Sequence, residues 1–135
     1  MSPNPSLPEF FVERSLGSRQ VPAALRAAGW LLRTQFEVFG ERDERVEDVE
    51  WLEYCGTNGL VVLTKDRRIR YRPQEIEALA TYGVKAFALA RGNLGAAEQS
   101  GRFIDQRETI ERNCEDEGPF VDVVYASEIV RIFPP

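Results

Sequence analysis

The segment Leu60-Val61-Val62-Leu63-Thr64-Lys65-Asp66 constrains the fold of this chain more than any other. Four apolar residues follow Gly59 without interruption, the pattern of a strand buried on both faces. Such a strand belongs in the middle of a parallel sheet, and it turns polar abruptly at Thr64. In open parallel sheets ligands bind outside the carboxyl ends of the strands, so Thr64, Lys65 and Asp66 fall where chemistry is expected. An ordinary polar turn is the competing reading of the same residues.

The flanking sequence alternates strands with helices. Phe10-Phe11-Val12 reads as a first strand ending at Glu13, with a turn over Ser15–Ser18. Pro22 suits the first turn of a helix, Ala24, Leu25 and Ala28 give it an apolar stripe, and Gly29 stops it. Trp30-Leu31-Leu32 begins a second strand that runs out near Thr34, and the charged stretch Gln35–Val46 reads as a surface loop. A helix starts at Glu47-Asp48, where acids favour the N-terminus; Trp51, Leu52 and Cys55 form its stripe, and Gly56 and Gly59 end it. Pro73 opens a helix with Ile76, Leu79 and Ala80 inward and Gly83 as its cap. A strand over Lys85–Ala90 leads to Arg91-Gly92-Asn93, where Asn93 caps one long helix to about Asn113, with Ala97, Ile104 and Ile110 inside. Strands over Phe120–Tyr125 and Ile129–Phe133 close the chain as a hairpin. Strand–helix alternation implies right-handed crossovers, and so an α/β fold: three layers, α/β/α, around a mostly parallel central sheet.

With 135 residues the chain makes one domain, expected over 9–135 behind a proline-rich flexible tail at 1–8. No apolar run approaches a membrane span and the N-terminus lacks the pattern of a signal peptide. Two cysteines without CxxC spacing, and no histidine, fit a reducing, cytoplasmic setting. Cys55, on an apolar stripe, reads as a small core residue. The net charge of −5 argues against non-specific attraction to nucleic acid as a whole. Locally the balance differs: residues 65–72 hold five basic residues against one acid, and residues 37–53 hold eight acids against two arginines.

The crossovers bring strand carboxyl ends to one edge of the sheet. Glu13 ends the first strand, Asp66 the central one, and Asn93 lies just past the fourth. Asp48 reaches the same edge if its helix runs back down the sheet. Carboxylates brought close together repel unless protonated or bridged by a cation, and Mg²⁺ or Mn²⁺ takes oxygen ligands of this kind. Asp48 as a helix cap and Asp66 as a turn starter are the plain alternatives. Glu13 has less excuse, an acid at the end of a nearly all-apolar strand. Glu47 and Glu50 read as solvated, as does Glu98, which is otherwise a candidate extra ligand.

The segments Phe10-Phe11-Val12-Glu13-Arg14-Ser15-Leu16-Gly17, Val46–Trp51, Leu63-Thr64-Lys65-Asp66 and Arg91-Gly92-Asn93-Leu94 come in the order seen in PIN-like domains. From about Phe10 to Phe133 the chain resembles the PIN-like ribonuclease toxins of bacterial toxin–antitoxin modules, the VapC type. The resemblance implies an endoribonuclease dependent on Mg²⁺ or Mn²⁺, with RNA as substrate and a protein antitoxin as partner; a homodimer is a further expectation. It makes Glu13, Asp48 and Asp66 the metal ligands and Asn93 the polar group facing them. Lys65, Arg67, Arg68 and Arg91 are then placed to hold the RNA backbone, with Lys65 also screening charge in the reaction. The first strand of these domains usually ends in Asp, and here the residue is Glu13. A catalytically weak PIN-like domain that binds protein or RNA is therefore the alternative. A phosphate-receiver domain, also α/β, wants adjacent acids after the first strand, which Glu13-Arg14 does not supply.

Overall fold

The computed structural model describes residues 7–90 and 93–135. Of the tail expected at 1–8, only Leu7 and Pro8 fall within them. Strands β1 (Glu9–Val12), β2 (Leu31–Thr34), β3 (Val61–Thr64), β4 (Lys85–Leu89), β5 (Phe120–Val124) and β6 (Ile129–Phe133) form one sheet in the order β2-β1-β3-β4-β5-β6. The first five are parallel to their neighbours and β6 pairs antiparallel with β5, the hairpin read from the sequence.

Alternation along the strands sends successive side chains to opposite faces, and both faces are covered. Phe10, Val12, Leu63, Phe87 and Leu89 pack against α1 (Gln20–Ala27), α5 (Ala96–Asp105) and α6 (Arg107–Asn113) through Leu25, Phe103 and Ile110. Phe11, Val62 and Ala86 pack on the other face against α3 (Asp48–Asn58) and α4 (Pro73–Tyr82) through Trp51, Leu52, Cys55 and Leu79. The Phe11 and Trp51 rings stack with centroids 5.8 Å apart. Burying each such side chain stabilises the fold by about 1.5–3 kcal/mol. The architecture is the expected α/β/α sandwich. Cys55 is fully buried, and burial pushes its thiol well above the usual range. Among the described residues no helix is long and apolar enough to cross a membrane.

Four local readings change. Gln35–Val46 is not a loop: α2 (Gln35–Phe39) and a 3₁₀ turn over Gly40–Arg45 fill it. The cause is a capping box, in which the Glu37 amide donates to Thr34 Oγ1 at 3.0 Å and the Thr34 amide to Glu37 Oε1 at 2.9 Å. The long final helix is two, broken at Gln106, whose side-chain amide is drawn off to the Tyr125 and Glu128 carbonyls. Its start is capped by Gly95 rather than Asn93, and its buried face carries Phe103, while Ala97 is exposed. On α4 the buried positions are Glu75, Ala78 and Leu79, and Ala80 faces solvent. Gly56 does not end α3, which runs on to Asn58 with Gly59 as its left-handed cap. A Cβ at Gly56 would lie 2.4 Å from Tyr82 Cβ and 2.5 Å from its carbonyl, so the glycine lets α4 cross close.

Candidate active site

At the carboxyl ends of β1 and β3 the chain turns polar twice, and the two turns are tied together. The Glu13 amide donates to the Leu63 carbonyl at 3.0 Å, carrying the β1–β3 pairing one residue past the strand. The Glu13 side chain turns inward and is only 8% exposed. Its Oε1 accepts from Thr64 Oγ1 and from Ser15 Oγ, each at 2.5 Å, and its Oε2 accepts from the Ser15 amide at 3.1 Å. Each hydroxyl spends its one hydrogen on the carboxylate and its oxygen on a backbone amide. Ser15 Oγ receives Lys65 N–H and Thr64 Oγ1 receives Asp66 N–H, both at 3.0 Å. The single carboxylate of Glu13 thus fixes the conformation of the Thr64–Asp66 turn. Burial raises the Glu13 pKa; the hydrogen bonds from Ser15 and Thr64 work against that rise, and the nearby Asp48 charge adds to it.

Asp66 caps the 3₁₀ turn Arg67–Arg70, its Oδ1 accepting from the Arg68 amide at 2.9 Å. Asp48 is the first residue of α3, and its Oδ1 accepts from the Trp51 indole at 3.0 Å. So the turn-starting alternative holds for Asp66, whereas Asp48 does not cap its helix: Glu47 stands at the cap position and Asp48 accepts from an indole; both acids face one groove. Glu13, Arg14, Ser15, Asp48, Lys65, Asp66, Arg67 and Arg68 line that groove, which has a volume of about 630 Å³. The acids predicted from sequence and three of the predicted basic residues are therefore brought together. Asn93 is not among the lining residues: it is exposed in the turn that follows β4. Arg91 lies outside the described residues. Glu98, read as solvated, is exposed in the first turn of α5, with its carboxylate accepting from the Gly95 amide at 3.3 Å.

Two residues at this site escaped the sequence reading. Arg72, the residue before α4, extends Nη1 to Asp48 Oδ2 and Asp66 Oδ2, each at 3.1 Å, and to Glu75 Oε1 at 3.0 Å. Glu75 is 6% exposed and so holds a charge away from solvent next to that guanidinium. The hydrogen bond to Glu75 is the main influence holding the Arg72 pKa above its ordinary value. The signal available was modest: Pro73 starts a helix, which places Glu75 one turn from Arg72.

As donors, Glu13, Asp48 and Asp66 suit a hard divalent cation, which takes oxygen ligands. Their present spacing does not close around one. Among the described residues no three of Asp, Glu, Cys or His stand close enough to hold an ion. Arg72 occupies the space between two of the acids, and two hydroxyls hold the third. By donor type the set suits such an ion; in this arrangement Arg72 bridges two of its members.

The family model for the PIN like domain matches residues 8–91. A protein of Mycobacterium tuberculosis named "Putative ribonuclease VapC45" is 35% identical over 127 residues, which cover 93% of this chain and 92% of that protein. No solved structure gives a significant match. With the family model spanning most of the chain and the relative nearly all of it, this chain belongs to the PIN-like domain family, in its VapC branch.

Proposed function

We propose that the chain is a divalent-metal-dependent endoribonuclease, the toxin of a toxin–antitoxin pair, and that it hydrolyses RNA phosphodiester bonds in the groove above β1 and β3. One observation carries this reading: three carboxylates and the basic residues Lys65, Arg67 and Arg68 share that groove. Acids alone would repel RNA, and basic residues alone would bind it without acting on it. The likeness to the named ribonuclease over nearly its whole length supports the same reaction.

In this reading Glu13, Asp48 and Asp66 hold Mg²⁺ or Mn²⁺. When bound, the ion neutralises charge building on the phosphodiester and makes water a stronger nucleophile. The chain's own contribution is placement. Thr64 and Ser15 fix the Glu13 carboxylate, and through their oxygens they fix the turn that presents Asp66. Arg67 and Arg68, both exposed, meet the phosphates on either side of the cut, and Lys65, half-buried, screens charge near the acids. A protein antitoxin would inhibit by covering this groove.

One observation favours the weaker, binding-only alternative: Arg72 already neutralises two of the three acids. Pooled RNA incubated with the purified protein in Mg²⁺, in Mn²⁺ and in chelator separates the two readings. Ion-dependent fragments with uniform end chemistry support the nuclease. RNA retained intact, with a measurable affinity, supports the binding module.

A further inference from the structure

Three carboxylates meet on one nitrogen of Arg72, and that nitrogen carries only two hydrogens. Asp48, Asp66 and Glu75 therefore cannot each receive a full hydrogen bond from it, and the group is held together largely by charge. Asp66 has a second cation in Arg68, whose Nε donates to Oδ1 at 3.3 Å, so two positive charges stand against three negative ones, a deficit that a dication would meet better. The Arg72 side chain is also 37% exposed, so it has a way out to solvent. Glu75, one turn along on α4 and with a side chain 8% exposed, remains beside it if Asp48 and Asp66 are drawn elsewhere.

We propose that Arg72 is the groove's built-in competitor for the metal ion: its guanidinium bridges Asp48 and Asp66, the ion must displace it, and Arg72 thereby sets the ion concentration at which the site fills. The proposal rests on the reading of Asp48 and Asp66 as metal ligands. The displaced guanidinium stays on Glu75, which keeps the buried carboxylate paired in both arrangements. Two ligands that compete for the same groups are coupled, and the coupling is reciprocal. Whatever free energy the guanidinium gains from Asp48 and Asp66 is taken from the ion. Couplings of this kind span about 5- to 150-fold in affinity. The partial exposure of Arg72 and both aspartates, and the screening that comes with it, place this one near the lower end.

The opposite role is equally concrete: Arg72 could hold the two aspartates at the separation the ion needs, and its loss would then weaken ion binding. The sign of one measurement separates the two. Mn²⁺ alone, without RNA, is titrated calorimetrically into the full chain, its Arg72→Gln and Arg72→Lys variants, and Asp66→Asn as a reference, with circular dichroism confirming each fold. Arg72→Gln is expected to bind Mn²⁺ about fivefold more tightly than the parent or better. It is also expected to melt lower in chelator and to gain more in Tm from added Mn²⁺. Arg72→Lys keeps the charge but has one compact ammonium that cannot span the three carboxylates, so its affinity falls between the two. Equal or weaker Mn²⁺ binding by Arg72→Gln overturns the proposal. If that variant does not fold, Arg72→Lys decides alone, and binding no tighter than the parent's overturns it. When the parent binds Mn²⁺ and Asp66→Asn does not, such a failure falls on Arg72 only. Absence of Mn²⁺ binding in parent and variants alike removes both the competitor role and the metal-site reading.

Discussion

Glu13→Gln isolates the electrostatic cost of the buried acid. Gln keeps the shape and loses the charge. Its Oε1 can still accept from Thr64 and Ser15, but its amide nitrogen faces the Ser15 N–H that Glu13 Oε2 now receives. One donor left without its partner costs about 1 kcal/mol, a penalty that does not depend on pH. The ionisation effect does depend on pH. Burial holds the Glu13 pKa above its ordinary 4.5, so the folded state keeps this proton more tightly than the unfolded chain. Below pH 4.5 both states are protonated and the parent suffers no penalty. As pH rises from 4.5 through the folded pKa, the parent loses stability, and above that pKa the loss is complete and constant. Each unit of rise corresponds to about 1.4 kcal/mol. For a domain of this size 1 kcal/mol moves Tm by roughly 4 °C. Melting both proteins from pH 4 to pH 8 in chelator should show Glu13→Gln slightly less stable in acid and gaining on the parent towards neutrality. A Tm difference that is flat with pH, or that falls, would refute the claim that this carboxylate is desolvated.

Glu13→Asp withdraws the carboxylate by one methylene from two hydroxyls only 2.5 Å away, so the clamp opens. Single-turnover cleavage should fall by about a hundredfold, the scale for a misplacement near 1 Å; an unchanged or faster rate would show that the longer acid is not positioned by Thr64 and Ser15. Replacing Arg67 and Arg68 together by Ala should weaken RNA binding for all sequences alike and flatten its log–log salt dependence by about 0.7 per lost phosphate contact. Gly56→Ala drives a methyl into Tyr82 and its carbonyl at the α3–α4 crossing, and thermal denaturation should register a loss of about 1–3 kcal/mol.

What was legible in the sequence was whatever local pattern decides. The run Leu60–Leu63 read as a doubly buried strand and supplies most of β3, whose polar continuation, Lys65 and Asp66, lies in the groove beside Glu13 and Asp48. Asp66 keeps its local capping role while facing the same groove as Asp48, so its plain and functional readings were never exclusive. The T-x-x-E box at Thr34 and Glu37 was visible in sequence, and the dense charge of 35–46 masked it. The break at Gln106 was not visible, because its partners, the Tyr125 and Glu128 carbonyls, are about 20 residues away and reach it only through the fold. Arg72 was hidden among its neighbours. It is one of five basic residues in 65–72, and charge counting treats all five as outward-facing. The start of α4 at Pro73 turns Arg72 back towards Asp48, and the same turn buries Glu75.

The acids around β1 and β3 are proposed to cut RNA with the help of a divalent ion. Asp66→Asn tests this most directly, since Asn can still accept the Arg68 amide that caps the 3₁₀ turn and so keeps the local fold. Parent and variant are given the same labelled RNA at single turnover in Mn²⁺, in Mg²⁺ and in chelator. Cleavage by the parent is expected with the ion only, and in Asp66→Asn a loss well beyond the roughly 10–100-fold seen when a ligand's supporting partner is removed. Cleavage by the parent in chelator, or by Asp66→Asn at the parental rate, would contradict the proposal.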